Sequence, residues 1–430
     1  MRQEKLLMLG SSTGTREVLQ YARRIGVRTI VADYLPREQS PAKQLADEAW
    51  DIDAADLDAL EAGCRANHVT AVFAATSEFC LDQAKELCAR LRLPFYASEE
   101  GWRCARDKER FKQVCVRCGA AVPKQFFVDE QVREADLQDV RFPVIIKPVD
   151  SSAQQGQSVC HTPEELAAGC RKAREVSPSG RILVEEYLTG TEVGVFFFLY
   201  EGQLMITATT ESMPFVVNGR MNFGFGLHRS QFHEDVIRQE RKLLEKITRQ
   251  MGCRNGVGFV QMIRRDGVYH YLELGYRLDA IASWTFARRF RGHSTLELMV
   301  ELALGHDLKL DLERDADPED ESCVSGAYPI WAKAGKVARI EGLDAVQAMD
   351  GVTVFLQNYH VGDTVKGVDN MRQIAFSILI EAAGYPEIGQ RVAQINRTLR
   401  MMDENGKNLL MAYTEFDAYF ASAEQTEHNI

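Results

Sequence analysis

Lys147 closes the apolar run Val144-Ile145-Ile146 and opens a loop of small polar residues, Ser151-Ser152-Ala153-Gln154-Gln155-Gly156. A buried strand that delivers an ammonium to its end, followed by a loop whose backbone amides can approach anionic oxygens, has the makings of a phosphate grip. About forty residues on, Arg181-Ile-Leu-Val-Glu-Glu-Tyr-Leu-Thr-Gly-Thr-Glu192 reads as a strand running into Glu185-Glu186-Tyr187-Leu188, turned at Gly190, with Glu192 opening the next strand. That arrangement suits a nucleoside. Gly256 to Ile263 and Tyr269 to Arg277 read as a hairpin turned at Asp266-Gly267. Gln261 and Glu273 lie on its two strands at a fixed parity from the turn, and a paired amide and carboxylate suit Mg²⁺.

Each of these has a plainer reading. A lysine at a strand end is commonly solvated, and Gln261 and Glu273 could be two exposed strand residues. Arg106, Lys108, Arg110 and Lys112 crowd one helix face, which is either a phosphate-reaching surface or a solvated one. Cys115-Val-Arg-Cys118 lacks a second pair at zinc spacing and sits in a helical pattern, so helix packing is the better account. His228 and His233 stand five apart with no regular element specified between them, which makes a poor metal pair.

These segments must be held by something large. At 430 residues with 45% hydrophobic and 26% charged composition, the chain has room for two to four globular units. A net charge of −11 argues against a backbone-tracking nucleic-acid binder. The N-terminus enters a strand without a signal-peptide pattern, and no run reaches the ~18 apolar residues that a membrane span needs. A cytoplasmic protein with reduced cysteines is expected, without nucleic-acid or membrane partners.

The first hundred residues alternate strand and helix: strands Leu6 to Leu9, Val27 to Ala32, Ala71 to Ala75 and Pro94 to Tyr96, helices Arg16 to Ile25, Asp56 to Asn67 and Glu78 to Leu91. That pattern predicts a parallel sheet covered on both faces. The Gly10 to Gly14 loop lacks dinucleotide spacing, and Asp33 reads as a solvated loop residue. Helices are expected over Gly101 to Cys118, Glu234 to Met251 and Thr295 to Leu304, a strand over Lys124 to Val128, and a loop from Met213 to Ser230. Asp311 to Glu321 reads as an acidic linker. Beyond it come strands Val324 to Trp331, Lys336 to Glu341, Val352 to Asn358 and Thr364 to Val365, helices Met371 to Ala383 and Pro386 to Met402, and a frayed tail after Phe420.

Taken in this order, the segments resemble the ATP-grasp ligases, whose two α+β lobes clasp ATP, and the resemblance covers nearly the whole chain. It implies a Rossmann-like α/β domain at 1–100, an ATP-grasp domain at 101–310 (small lobe 101–187, larger metal-bearing lobe 188–310) and a C-terminal α+β domain at 311–430. The last resembles that of biotin carboxylase and amino-acid ligases. The Asp107-Lys108 pair and the Gly119-Ala-Ala-Val-Pro123 turn match the family, and imply that Lys108 and Lys147 contact phosphate. Ser152 and Gly156 belong to the covering loop. The slot Glu185, Glu186 and Leu188 takes the adenine, with Glu185 and Leu188 using backbone groups, while Glu192 takes the ribose and His228 reaches phosphate. Gln261 and Glu273 are the implied metal ligands and Arg277 the catalytic arginine. Two departures stand out: the loop lacks the family's arginine, and Gly275 replaces the asparagine of E-x-N-x-R.

The implied function is an ATP- and Mg²⁺-dependent carboxylate–amine ligase working through an acylphosphate, nearest in architecture to the L-amino-acid ligase and carbamoyl phosphate synthetase-like branch. Its partners would be a small carboxylate and a small amine, with a homodimer as the prior for assembly. The alternatives are carbamoyl phosphate synthetase-like phosphorylation of a carboxylate or carbamate, and a catalytically degenerate nucleotide-binding protein. Asp279 and Trp284 could shape the substrate pocket.

Overall fold

The computed structural model describes residues 3–128, 133, 137–151, 155–217, 220–285, 287, 289, 292–311, 324–368, 371–414 and 416. Ser152, most of the acidic 311–321 stretch and the tail after Phe420 fall outside them.

The N-terminal sheet is parallel, in the order Glu48–Trp50, Arg28–Ala32, Lys5–Leu9, Ala71–Phe73. Its central strands are buried along nearly their whole length, as expected when helices cover both faces. Helices Thr15–Arg24, Leu57–Asn67 and Glu78–Leu91 supply the cover, and the last two start on side-chain caps from Asp56 and Ser77. Pro94 to Tyr96 does not form the expected strand; the edge is taken by Glu48–Trp50 instead. Tyr96 is used as a wedge, its hydroxyl donating to the Tyr276 carbonyl at 2.7 Å and its ring lying against Gly256, where a Cβ would come within 2.3 Å. Asp33 is 5% exposed rather than solvated, and its carboxylate accepts from the Leu35 amide.

The single helix expected over Gly101 to Cys118 is two, Glu99–Ala105 and Lys108–Cys118. The break falls at Asp107, whose side chain caps the second helix by accepting from the Arg110 amide. A four-stranded small-lobe sheet follows in the order Gln125–Phe126, Ile182–Glu186, Val144–Pro148, Ser158–Cys160, backed by helix Pro163–Val176.

The largest sheet runs Val268–Gly275, Gly256–Arg265, Thr191–Tyr200, Gln203–Val217, Arg220–His228, Val324–Ala332, Ile374–Ala382, Val352–Gln357, with Leu410–Met411 beside Val324–Ala332. The C-terminal strands thus extend the sheet that begins with the 256–275 hairpin. Two expectations fail here. Met213 to Val217 and Arg220 to His228 are not loop but parts of two long hairpin strands, and in place of the helix expected over Met371 to Ala383, Met371–Gln373 is a short 3-10 turn and Ile374–Ala382 a strand. The second strand of that hairpin carries Gly224 and Gly226, which hide its alternation, and Ile374–Ala382 is buried almost throughout, a pattern whose periodicity does not separate strand from helix. The helix expected at Pro386 to Met402 ends at Thr398, and Arg400–Met402 is a strand. Cys115 and Cys118 are buried, free thiols within their helix. Among the described residues no helix is long and apolar enough to cross a membrane.

Candidate active site

Residues on the 256–275 hairpin and the neighbouring strand converge on one sheet face. Gln261 stands opposite Glu273 in register, and its Nε2 donates to Glu192 Oε1 at 3.0 Å. This pairing depends on more than turn parity. Arg265 pairs with Val268 and Met262 with Tyr271, so an unbroken ladder would set Gln261 against Leu272; a register shift between Gln261 and Met262 puts Glu273 there instead. Bulges re-aim side chains in this way beside functional sites.

Lys108, at the start of its helix, reaches the same place. Its Nζ donates to the Ser151 carbonyl at 2.6 Å and stands 3.7 Å from Glu273. The lysine is thereby fixed between the rim of the 151–156 loop and the hairpin. Glu192 senses the gathering of charge: burial first, then repulsion from Glu273, pushes its carboxyl up to about 7, against the lowering effect of Gln261, Lys147 and Ser212. Lys147 and Glu273 therefore act on the same carboxylate.

Beneath this surface lies a buried ion-pair triad. Glu185 is fully buried, with Lys112 against one carboxylate oxygen and Lys147 Nζ 3.5 Å from the other. Burial pushes the Glu185 carboxyl up, but Lys112 and Lys147 outweigh it and hold it below its usual range. Burial lowers Lys112 to about 8, opposed by Glu185 and reinforced by Lys147. Gln125 and Ile145 flank Glu185 on either side within the sheet, and its carboxylate is aimed at the lysines. Lys112 belongs to a helix face that reads equally well as solvated; its i, i+4 spacing from Lys108 was the available signal, and only the tertiary fold reveals the burial.

Glu186 accepts from the Lys124 amide at 3.3 Å, and Leu188 follows it at the strand end, 8% exposed. Gly156 has φ +73° and is pressed against Pro148 and Val176, so glycine is required there by conformation and by space. His228 is 4% exposed, with Nδ1 3.0 Å from the Thr209 carbonyl. His233 pairs with Thr209 Oγ1 at 2.9 Å, and among the described residues no cluster of three or more His, Cys, Asp or Glu could hold a metal.

Arg277 lies over the Phe259 ring at 5.4 Å and is anchored through Nε and Nη2 to Glu78 Oε1 at 3.2 and 3.1 Å. Glu78 also pairs with Arg106, so one carboxylate from the N-terminal domain clamps two guanidinium groups. Sequence reasoning passed over Glu78, although it opens the helix that follows strand Ala71–Phe73, on the side where open α/β sheets place ligands. Asp279 and Trp284 are structural: Asp279 is buried and accepts from the Ile281 and Ser283 amides, while Trp284 packs against Gly14.

Gly275 has a steric reason. A Cβ there would sit 2.3 Å from the Phe259 ring, so the aromatic occupies the space where the family asparagine would project. What remains fits Mg²⁺ and a nucleotide nonetheless. Gln261 and Glu273 offer oxygen ligands to a hard ion that keeps phosphate and water in its shell, and burial together with repulsion from Glu273 raises Glu192 despite the nearby Lys147.

Among the described residues the chain forms five sheets, and lysines beside the small-lobe sheet meet carboxylates of the largest one. Residues 140–283 match the ATP-grasp domain and residues 329–402 match L-amino acid ligase C-terminal domain 2, so the chain carries an ATP-grasp domain followed by a C-terminal domain of the L-amino acid ligase type. ATP-grasp enzymes use ATP and Mg²⁺. Formate-dependent phosphoribosylglycinamide formyltransferase of Methanocaldococcus jannaschii is 26% identical over 278 residues, 61% of this chain and 67% of that one. The L-amino acid ligase of Bacillus licheniformis superposes with a TM-score of 0.76 at 16% identity, over 94% of this chain and 100% of that one. The biotin carboxylase domain of Hydrogenobacter thermophilus 2-oxoglutarate carboxylase, a dimer with MgADP, does so at 0.76 and 14%, over 97% and 93%.

Proposed function

We propose that this chain joins a small carboxylate to a small amine at the expense of ATP, releasing ADP and phosphate. The observation that carries the reading is the convergence on Glu192 of Gln261, Glu273 and Lys147, with Lys108 3.7 Å from Glu273. The substrate carboxylate attacks the terminal phosphorus of ATP, and the bond to the ADP oxygen breaks. The amine nitrogen then attacks the acyl carbon of the acylphosphate, an amide bond forms and phosphate departs with the electron pair. Lys108 and Lys147 neutralise the phosphate oxygens, and the loop bearing Ser152 and Gly156 covers them. Glu185, Glu186 and Leu188 border the adenine, Glu192 takes the ribose, and His228, buried against the Thr209 carbonyl, reaches phosphate. Bound at Gln261 and Glu273, Mg²⁺ would screen the triphosphate charge. Arg277, a forked cation held by Glu78, steadies the reacting centre.

This reading includes the domain limits 1–100, 101–310 and 311–430, a cytoplasmic location, and a homodimer. The test is ADP release from the full chain against paired panels of carboxylates and amines. Turnover requiring both an acid and an amine is expected. ADP release with an acid or bicarbonate alone would favour the carbamoyl phosphate synthetase-like alternative, and tight ATP binding without turnover under every pairing would favour a degenerate nucleotide binder.

A further inference from the structure

Glu273 is hemmed in on three sides. Across the ladder stands Gln261, whose Nε2 donates to Glu192 Oε1 at 3.0 Å and whose Oε1 is thereby left for a cation. From the start of helix Lys108–Cys118 the Lys108 ammonium comes to 3.7 Å from the Glu273 carboxylate, and its bond to the Ser151 carbonyl at 2.6 Å holds it there. Toward the strand end Gly275 pairs with Phe259, two positions from Glu273 and Gln261 and so on the same face.

The Phe259 ring fills that face in front of Gly275. A Cβ at 275 would meet three carbons of the ring, the farthest at 2.9 Å. The ring is held in place by its own packing: the Phe196 centroid is 5.6 Å away, Ala208, Ala287 and Ile281 belong to the same apolar cluster, and the Arg277 guanidinium stands 5.4 Å from the ring centroid. Glu192 supplies no oxygen on this flank. It lies opposite Ile263, on the side of Gln261 away from Phe259, and its Oε1 is already taken by the Gln261 amide.

We infer that this site takes one divalent ion with its nucleotide, not two, and that the Phe259 ring and the Lys108 ammonium hold the two flanks of Glu273 from which a second ion would share that carboxylate. Paired catalytic ions stand about 3.5–4 Å apart. A second ion must therefore sit beside Glu273 and still find oxygens of its own. On one flank it would meet a fixed positive charge 3.7 Å from the carboxylate. On the other it would give up water to an aromatic ring and receive no oxygen in return. Mg²⁺ needs only one or two side-chain donors beside phosphate oxygens and water, a need that Gln261 and Glu273 meet once. With the ligase reading supplying the nucleotide, on which this inference rests, Lys108 and Lys147 bring to the phosphates the positive charge that a second ion would carry.

Counting ions tests this without turnover. Mn²⁺ replaces Mg²⁺, and its binding to the full chain saturated with a nonhydrolysable ATP analogue is followed by equilibrium dialysis and by electron paramagnetic resonance. One Mn²⁺ per bound nucleotide is expected, with the spectrum of an isolated ion. The double variant Gly275→Asn/Phe259→Leu, which sets an amide oxygen beside Glu273 and clears the ring from its path, is expected to take up a second ion at least ~10-fold more tightly than the parent, with a spectrum of coupled ions. Phe259→Leu alone, which adds no oxygen, is expected to stay at one. Two ions per nucleotide with a coupled spectrum in the parent, or a folded double variant that still stops at one, would overturn the inference and leave the ligase reading standing. Should the double variant not fold, the ion count of the parent decides alone. A parent that retains no Mn²⁺ together with the nucleotide would remove the nucleotide site of the ligase reading, and this inference with it.

Discussion

Gln261 and Glu273 face each other only because the ladder between their strands slips by one residue at Gln261/Met262. The slip brings a carboxylate to the face on which Gln261 already meets Glu192, and Lys108 closes the group from the neighbouring helix. Glu273 is 43% exposed, so its loss leaves no buried charge unpaired. Glu273→Ala is therefore expected to reduce ADP release by ~100-fold or more while stability to urea stays within about 0.5 kcal/mol of the parent. Unchanged turnover would remove the metal assignment.

Gly275 makes the opposite case, a position where adding a ligand should harm. The Phe259 ring lies where a side chain at 275 would begin, and that ring also supports Arg277 and packs on Phe196 at 5.6 Å. Gly275→Asn is expected to destabilise the fold by about 1–3 kcal/mol through overpacking. Pairing it with Phe259→Leu should recover much of that loss in urea unfolding; a single variant as stable as the parent would show that the ring is not a barrier.

Much of this site was legible before the fold was known, and the reason is local chemistry. Lys147 ends an apolar run, Glu192 follows a glycine turn, and Asp266-Gly267 fixes a hairpin, so short segments announce their own backbone. The 213–230 hairpin arm and the 374–382 strand were not legible, because glycines facing phenylalanine rings and an apolar run buried on both faces erase the period that separates strand from helix or loop. The parity argument for Gln261 and Glu273 reached the right pair without the bulge that makes it true. Lys112 and Glu78 were hidden for a different reason: their partners, Glu185 and Arg277, lie 73 and 199 residues away, and no pattern along the chain connects them.

Glu192 links proton binding to the nucleotide. Its carboxyl is raised from the ordinary 4.5 to about 7 by burial and by Glu273. The folded protein thus holds a proton that the unfolded chain releases between those values, so this group's contribution to stability is fully present below about pH 4.5 and lost as pH rises through 7. The melting temperature of the nucleotide-free protein should lose part of its decline between pH 5 and 8 in Glu192→Gln. A cation bound at Glu273 removes the repulsion, so Mg²⁺–ADP binding near pH 6.5 should release protons, read by calorimetry in buffers of different ionisation enthalpy. Proton uptake would contradict the geometry.

The Lys112–Glu185–Lys147 triad sets the cost of the phosphate grip. With Lys112 and Glu185 at 1% and 0% side-chain exposure, removing one charge strands the other. Lys112→Met is expected to destabilise by about 3–5 kcal/mol. The double variant Lys112→Met/Glu185→Gln should be less damaging than the sum of the two single changes. Strict additivity in urea unfolding would mean that the two groups do not depend on each other.

Arg277 owes its orientation to a residue of another domain. Glu78 grips its Nε and Nη2 while also pairing with Arg106, and Arg277 is held against Phe259 at the edge of the 256–275 hairpin. Glu78 thus acts as a positioning residue, and its effect should fall on the chemical step. Glu78→Gln keeps the shape and removes the charge; it is expected to lower kcat by ~10-fold or more with KM for ATP little changed, because a small misplacement of a reacting group is costly in rate while nucleotide contacts lie elsewhere. Glu78→Asp, which restores the charge, should recover part of kcat. A variant that instead raised KM for ATP at constant kcat, or one that Glu78→Asp did not improve, would show that the clamp serves domain packing and not the arginine at the reacting centre.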